Sequence, residues 1–417
     1  AAILTKQTMR TLFTFLTILI SSLSFGQNSK TDFLRDLDFV YENLKNTTSY
    51  KTQKNKQKNV TSKYNELKKQ TSNLSVIESY LKLYELVDEI TDYHNDIYGN
   101  SETFSYNDLK DDAFLNKIKT SSDYNFYPKS KMNLDSLETE LSKRKSSDYE
   151  GIYYHQNYFK IAIVKRPDNL LEGIILETKI PSWERGETML YFLPKQDNRF
   201  RIFGGKFIDK NLFSSIDCFV NGEFKTSKWQ KKIPEINYYN ASFPDQKFVF
   251  KNLNDSFIYV KVGSFDSSNK GIEEATNFYK EISEKLTTKN LIVDLRNNNG
   301  GGDKSSTQFY KLFKKFNGKI YVLVNFYTVS NAEQFAVKMK KHKNVVISGD
   351  NTRGMITYGR NYDEDKETPS QNFRIYFSDL KDNWKQYLKY EETGLKPEIY
   401  LTSDKDWIEQ ITNKYSR

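Results

Sequence analysis

The chain has 417 residues, of which 37% are hydrophobic and 28% charged. That length exceeds one ordinary core and suits two or three domains, and the composition excludes a disordered or membrane-embedded protein. The formal charge is +9, but the lysines are diluted along the chain. Their densest run, 51–69, is mixed with Asn, Gln and Thr and reads as a solvated helix face or linker, not a nucleic-acid interface.

Residues 1–26 read as an export signal. Met9-Arg10 supplies a start and a positive charge, 12–23 is apolar with Ser and Thr admixed, and Ser24-Phe25-Gly26 offers a small-x-small cleavage pattern. Residues 1–8 read as an over-extended start. The apolar stretch is too short for a membrane span, so a secreted or periplasmic protein without stable membrane insertion is expected. No cysteine follows the signal, so no lipid anchor is expected. The single cysteine, Cys218, cannot form an internal disulfide, and structural zinc takes about four ligands. It reads as a small core residue.

A helical region follows over 27–100. Phe33, Leu37, Val40 or Tyr41, and Leu44 recur at helical spacing behind Thr31-Asp32. A longer helix is expected over 74–97, with Ile77, Leu81 or Tyr80, Tyr84, Val87, Ile90 and His94 on its apolar face. A β-rich middle domain spans 101–245. Its first fifty residues are polar loops and short helices. Strands then follow at 158–164, 173–178, 189–193, 199–203 and 216–220, with Asn221-Gly222 as a hairpin turn. An α/β core occupies 246–417. Strands at 256–262, 291–295, 319–325 and 344–348 alternate with helices at 272–286, 305–313 and 331–341, which argues for a largely parallel sheet covered on both faces. Sites form at the carboxyl ends of such strands. The run Asp294-Leu-Arg-Asn-Asn-Asn-Gly-Gly-Gly302 follows one strand and Ser330 the next, so both land on one sheet edge.

A serine needs an adjacent base to act as a nucleophile. Ser330-Asn-Ala-Glu333 also matches a Ser-x-x-Glu capping box, so Ser330 has a purely structural reading. Its place at a helix start puts the Asn331 amide where a developing oxyanion is favoured. The glycine run lacks a Lys-Ser/Thr ending and is no phosphate loop. It is either a tight turn or a backbone that lets the Gly300 or Gly301 amide approach a carbonyl. Asp294 and Arg296 read as structural supports of that turn. Three histidines are available as base: His94, His155 and His342. His342 lies in the basic run 340–343 and reads as solvated. His155 neighbours three tyrosines. His94 lies on a buried helix face in Thr91-Asp-Tyr-His-Asn-Asp96, where it is either a core residue or a base.

Asp-Leu-Arg-Asn-Asn-x-Gly-Gly, then Thr-x-Ser-x-x-Glu, then Val346-Ile-Ser-Gly349-Asp-Asn-Thr352-Arg-Gly354 together resemble peptidase family S41, the tail-specific protease and tricorn-core group. The resemblance is strong over 248–405 and thin over the middle domain. It implies a ClpP/crotonase-like core and a serine peptidase acting on a peptide or protein substrate through an acyl-enzyme, with no metal or cofactor. Tail-specific proteases place a dyad lysine where this chain has Met355, and no lysine occurs from 344 to 365. The tricorn-like branch instead uses a histidine, a serine and a glutamate, which map to His94, Ser330 and Glu391, with Glu392 the competing neighbour. Its oxyanion hole maps to Gly300 and Asn331. Gly301, Asp92 and Arg296 are supporting candidates. This resemblance requires the N-terminal helices to pack over the α/β core. The rivals are a binding protein on the same fold that lacks turnover, and an adhesion module built on the middle domain.

Overall fold

From Phe248 onward the apolar runs form a six-stranded sheet in a computed structural model that describes residues 27–28, 30–231, 238–360, 365–380 and 384–415. The export signal expected over 1–26 lies outside the described residues. The strand order is Phe248–Asn254, Phe257–Val262, Asn290–Asp294, Lys319–Val324, Val345–Gly349 and Ile399–Tyr400, and every pair but the first is parallel. Successive residues of a strand point to opposite faces, and here both faces are apolar. Ile258, Val260 and Val262 pack with Phe278, Phe309 and Phe335 of the covering helices. Phe257 and Tyr259 pack on the other side with Tyr239, Trp407 and Ile411. Asp294 pairs in register with Leu323, so the turns after these two strands emerge side by side. The strand Phe248–Asn254 was not foreseen. It is the sheet's antiparallel edge.

The middle region is a seven-stranded antiparallel meander from Gly151–His155 to Glu223–Phe224. Its two edges are joined through Gln230, which exchanges backbone hydrogen bonds with Tyr154 at 2.9 and 3.0 Å and bridges to Glu223. The sheet is therefore a barrel. Bulky rings fill it, among them Tyr153, Phe192, Phe200, Phe224 and Trp229, all essentially inaccessible. The Asn221-Gly222 turn has positive φ at both residues (51° and 84°), as a two-residue hairpin turn requires.

The helix Lys30–Asn46 buries Phe33, Leu37, Val40 and Leu44. The second helix is shorter than its periodicity predicts: it spans Val76–Val87, capped by Ser75 and Glu78. These helices share their apolar core with the barrel and with Phe373 and Ile375 of the 246–417 region, not with the six-stranded sheet. Tyr84 packs against Phe203 with the rings tilted at 58°, and Asp88 pairs with Arg201 at 2.7 Å. Asp36 and Gln53 bond Ser370 and Tyr358 of the 246–417 region, and the segment after the helix reaches it too. Its strand Asp96–Gly99 pairs antiparallel with Phe373–Tyr376. Among the described residues no helix is long and apolar enough to cross a membrane.

Candidate active site

The turn carrying Ser330 is bound to the glycine turn by buried amides and hydroxyls. Asn325 accepts from the Asn297 and Tyr327 N–H groups and donates to Tyr239 O and Asn297 Oδ1, while Thr328 Oγ1 donates to Leu295 O at 2.9 Å. Val329 N–H bonds Asn298 O at 3.0 Å. Held in this way, Ser330 adopts φ 55°, ψ −122° at the start of the helix Asn331–Met339. A capping serine normally sits in the extended region, as Ser75 does at φ −66°, ψ 164°. Ser330 and Glu333 have the layout of a capping box, but the bond present is the reverse half, from Ser330 N–H to Glu333 Oε2 at 3.0 Å. A non-glycine residue in that region costs of order 1–3 kcal/mol and persists where the surroundings over-determine it. Ser330 thus departs from the backbone geometry of an ordinary capping serine.

The glycine turn lies against this residue. A methyl group on Gly300 (φ 89°) would stand 2.9 Å from the Asn331 nitrogen and 3.0 Å from Ser330 Cβ, so the close approach requires glycine. The turn corrects one expectation. Gly300 N–H donates to Asn298 Oδ1 at 2.9 Å and is not open to a substrate. Phe265 bonds to Gly300 O and Gly302 N on either side of Gly301, and Gly301 itself is exposed. Asp294 and Arg296, the expected supports of the turn, are bonded to each other. Their ion pair is buried at 2.7 Å, and Arg296 Nη1 also donates to Tyr238 O and Asn240 O.

His94 does not end a helix. It lies in a turn after Ile90, where the Asp92 side chain accepts the His94 N–H at 3.0 Å. Asp92, His94 and Glu391 are all buried, with donor atoms within 4.8 Å of one another. His94 Nδ1 is 3.6 Å from Asp92 Oδ1 and has no hydrogen-bond partner. Of the two neighbouring glutamates, Glu391 is the one beside the ring. Glu392 bonds Gly354 O through its backbone instead. The trio has the spacing of a metal site, but its carboxylates are already engaged: Ser378 Oγ donates to Asp92 Oδ2, the Tyr93 N–H to Glu391 Oε1, and the Ile356 and Thr357 N–H groups to Glu391 Oε2.

A single loop separates this trio from Ser330. Glu333 accepts from the Gly354 and Met355 amides at 2.7 and 3.1 Å, and Glu391 from the next two at 3.0 and 2.8 Å. Four successive amides are thus pinned to two buried carboxylates, one at the serine helix and one beside His94. Met355 itself packs with the apolar cluster that contains Tyr93 and Phe326. No hydrogen bond joins His94 to Ser330 among the described residues. His155 lies elsewhere, in the barrel, its ring packed at a tilt against Phe207. His342 is not free in solvent: its Nε2 lies 3.1 Å from Tyr310 Oη. Burial pushes the Cys218 thiol up to about 12, which makes it inert as a nucleophile. A cleft of about 640 Å³ lined by Gly99, Tyr124, Asn211 and Asn372 includes none of the catalytic candidates.

Burial, and then the charge of Asp92, push the Glu391 carboxyl up to about 8 from its ordinary 4.5. A carboxyl raised in the folded state favours the protonated form. Its contribution to stability is complete below pH 4.5, is lost as pH rises toward 8, and is level above that. Glu391→Gln removes this dependence, so the stability difference between variant and wild type rises in the variant's favour from pH 4.5 to 8. Urea unfolding at half-unit pH steps checks this, and a difference that stays constant over that window contradicts it.

The sequence profile of peptidase family S41 matches residues 256–317 and 307–401. The match to peptidase family S41 is confined to residues 256–401, about a third of the chain. Solved structures similar to the chain include the photosystem II D1 C-terminal processing protease (11% identity, 88% of this chain and 93% of that one, TM-score 0.38). Mature CPAF matches at 10% identity over 89% and 92%, with a TM-score of 0.38. The tricorn protease matches at 13% over 89% of this chain but 34% of its own, with a TM-score of 0.39. No curated protein matches the chain in sequence. In the S41 core the matched residues include the glycine turn, Ser330, the 354–357 loop and Glu391. His94 lies outside the match and reaches it through the strand Asp96–Gly99.

Proposed function

We propose that this chain is an exported serine peptidase. Ser330 Oγ attacks a peptide carbonyl, His94 takes its proton and returns it to the leaving amine, and water then hydrolyses the acyl-enzyme. The Gly301 and Asn331 amides hold the oxyanion, while Glu391 orients the imidazole and Asp92 balances its charge. The observation that carries this reading is the backbone of Ser330: its positive φ presents the hydroxyl beside the glycine turn where a capping serine would adopt extended geometry. The rival, a ligand-binding protein on the same fold, draws on one observation, the lack of a bond between His94 and Ser330. A fluorophosphonate probe separates the two. The peptidase is labelled at Ser330 and at no other serine; a protein that binds peptides yet takes no label is the binder.

A further inference from the structure

Among the described residues two arginines, Arg199 and Arg353, keep a buried Nε without a hydrogen-bond partner. Arg296 pairs with Asp294, Arg201 with Asp88, and Arg199 donates to the carbonyls of Thr352, Arg353 and Thr393. Arg353 forms no side-chain hydrogen bond or ion pair among the described residues, and its Nε is buried without a partner. Its guanidinium lies over the Phe326 ring at 5.3 Å. The nearby carboxylates are already engaged. Asp217 accepts from Cys218 N, Thr226 N, Ser227 N and Ser227 Oγ. Glu333 accepts from Thr352 Oγ1, Ser330 N, Gly354 N and Met355 N. Burial accordingly pushes the guanidinium's pKa down. A buried charge with no partner costs free energy, and a planar fork of donors is matched best by a carboxylate.

The place of this residue makes that vacancy informative. Arg353 N–H bonds Thr328 O at 3.4 Å, two residues before Ser330. Its neighbours Thr352 and Gly354 both bond the carboxylate that holds the Ser330 amide. The backbone of Arg353 is therefore fixed to the serine turn, its side chain is half-buried, and Arg199 adds a second positive charge over the same ring.

We propose that Arg353 is a specificity-determining residue that anchors a carboxylate of the bound peptide close to the scissile bond. The inference rests on the peptidase reading for its place in a reaction, but the binding itself can be read without turnover. The probes are matched hexapeptides in four forms: glutamate or glutamine in the chain, and a C-terminal acid or amide. Their affinities are measured by fluorescence anisotropy on the Ser330→Ala protein. Peptides with a carboxylate bind at least about tenfold more tightly than fully neutral ones, and the four forms show whether the side-chain or the terminal carboxylate is read. Arg353→Met removes the difference, and Arg353→Lys restores part of it. Melting temperature is not lowered in either variant, since no internal hydrogen bond of the guanidinium is lost. An Arg353→Met protein that keeps the full preference, or a wild-type preference for neutral peptides, overturns the proposal. Failure of Ser330 to take the probe while the carboxylate preference persists sinks the peptidase reading alone.

Discussion

Ser330→Ala lowers kcat for peptide hydrolysis by at least about 10⁴-fold while the protein keeps its fold, because a serine hydrolase without its nucleophile retains only the contribution of its oxyanion donors and binding. The hydroxyl takes part in no cap bond that the fold depends on, since the bond at this helix start runs from the Ser330 backbone to Glu333. Thermal unfolding of the variant therefore stays near that of the wild type, and Ser330→Gly unfolds no earlier because glycine adopts φ 55° without strain. The measurement is turnover of a quenched fluorescent peptide library, with melting curves alongside. A variant that hydrolyses at the wild-type rate would falsify the assignment of Ser330.

The largest effect on stability is expected at Arg296. Its guanidinium binds Asp294 through Nε and Nη2, closes over Trp407 at 5.0 Å and holds two carbonyls of the 238–240 segment. Arg296→Met keeps the length of the side chain and removes the charge. Asp294, wholly buried, is then left with Tyr259 Oη at 2.8 Å and the residue 296 amide at 2.9 Å as its partners. Removing one partner of a buried pair costs about 3–5 kcal/mol, much more than the pair itself contributes over an apolar replacement. Urea unfolding reads this directly. Because the same residues anchor the glycine turn, activity falls with stability in this variant, whereas Ser330→Ala separates the two. A loss below about 1 kcal/mol would mean that Asp294 finds another partner.

Much of this architecture was readable before any coordinates, and the reasons differ by element. The strands of the α/β core have apolar residues on both faces, so the runs at 291–295 and 319–325 stood out and fell within a residue of Asn290–Asp294 and Lys319–Val324. Asn221-Gly222 announced its turn because that turn requires two positive φ values. The end of the second helix was missed because Ile90 continues the apolar period and no Gly or Pro intervenes. The helix nevertheless stops, and Asp92 closes a local turn by accepting the His94 N–H. Closure of the barrel through Gln230 could not be read, since a backbone pairing carries no side-chain signature. The same limit applies at Gly300: its flexibility was visible, but capture of its amide by Asn298 was not. Amphipathic helices reveal that a face is buried but not against what. The N-terminal helices therefore turned out to lean on the barrel.

The pairing of Asp96–Gly99 with Phe373–Tyr376 sets an order of events during synthesis. The imidazole segment emerges early, but its seat is built from Ser378, the 356–357 amides and Glu391, all translated later than the serine. A nascent chain that has produced His94 and Ser330 therefore still lacks the residues that seat the imidazole, and the proposed centre is complete only once Glu391 has been made.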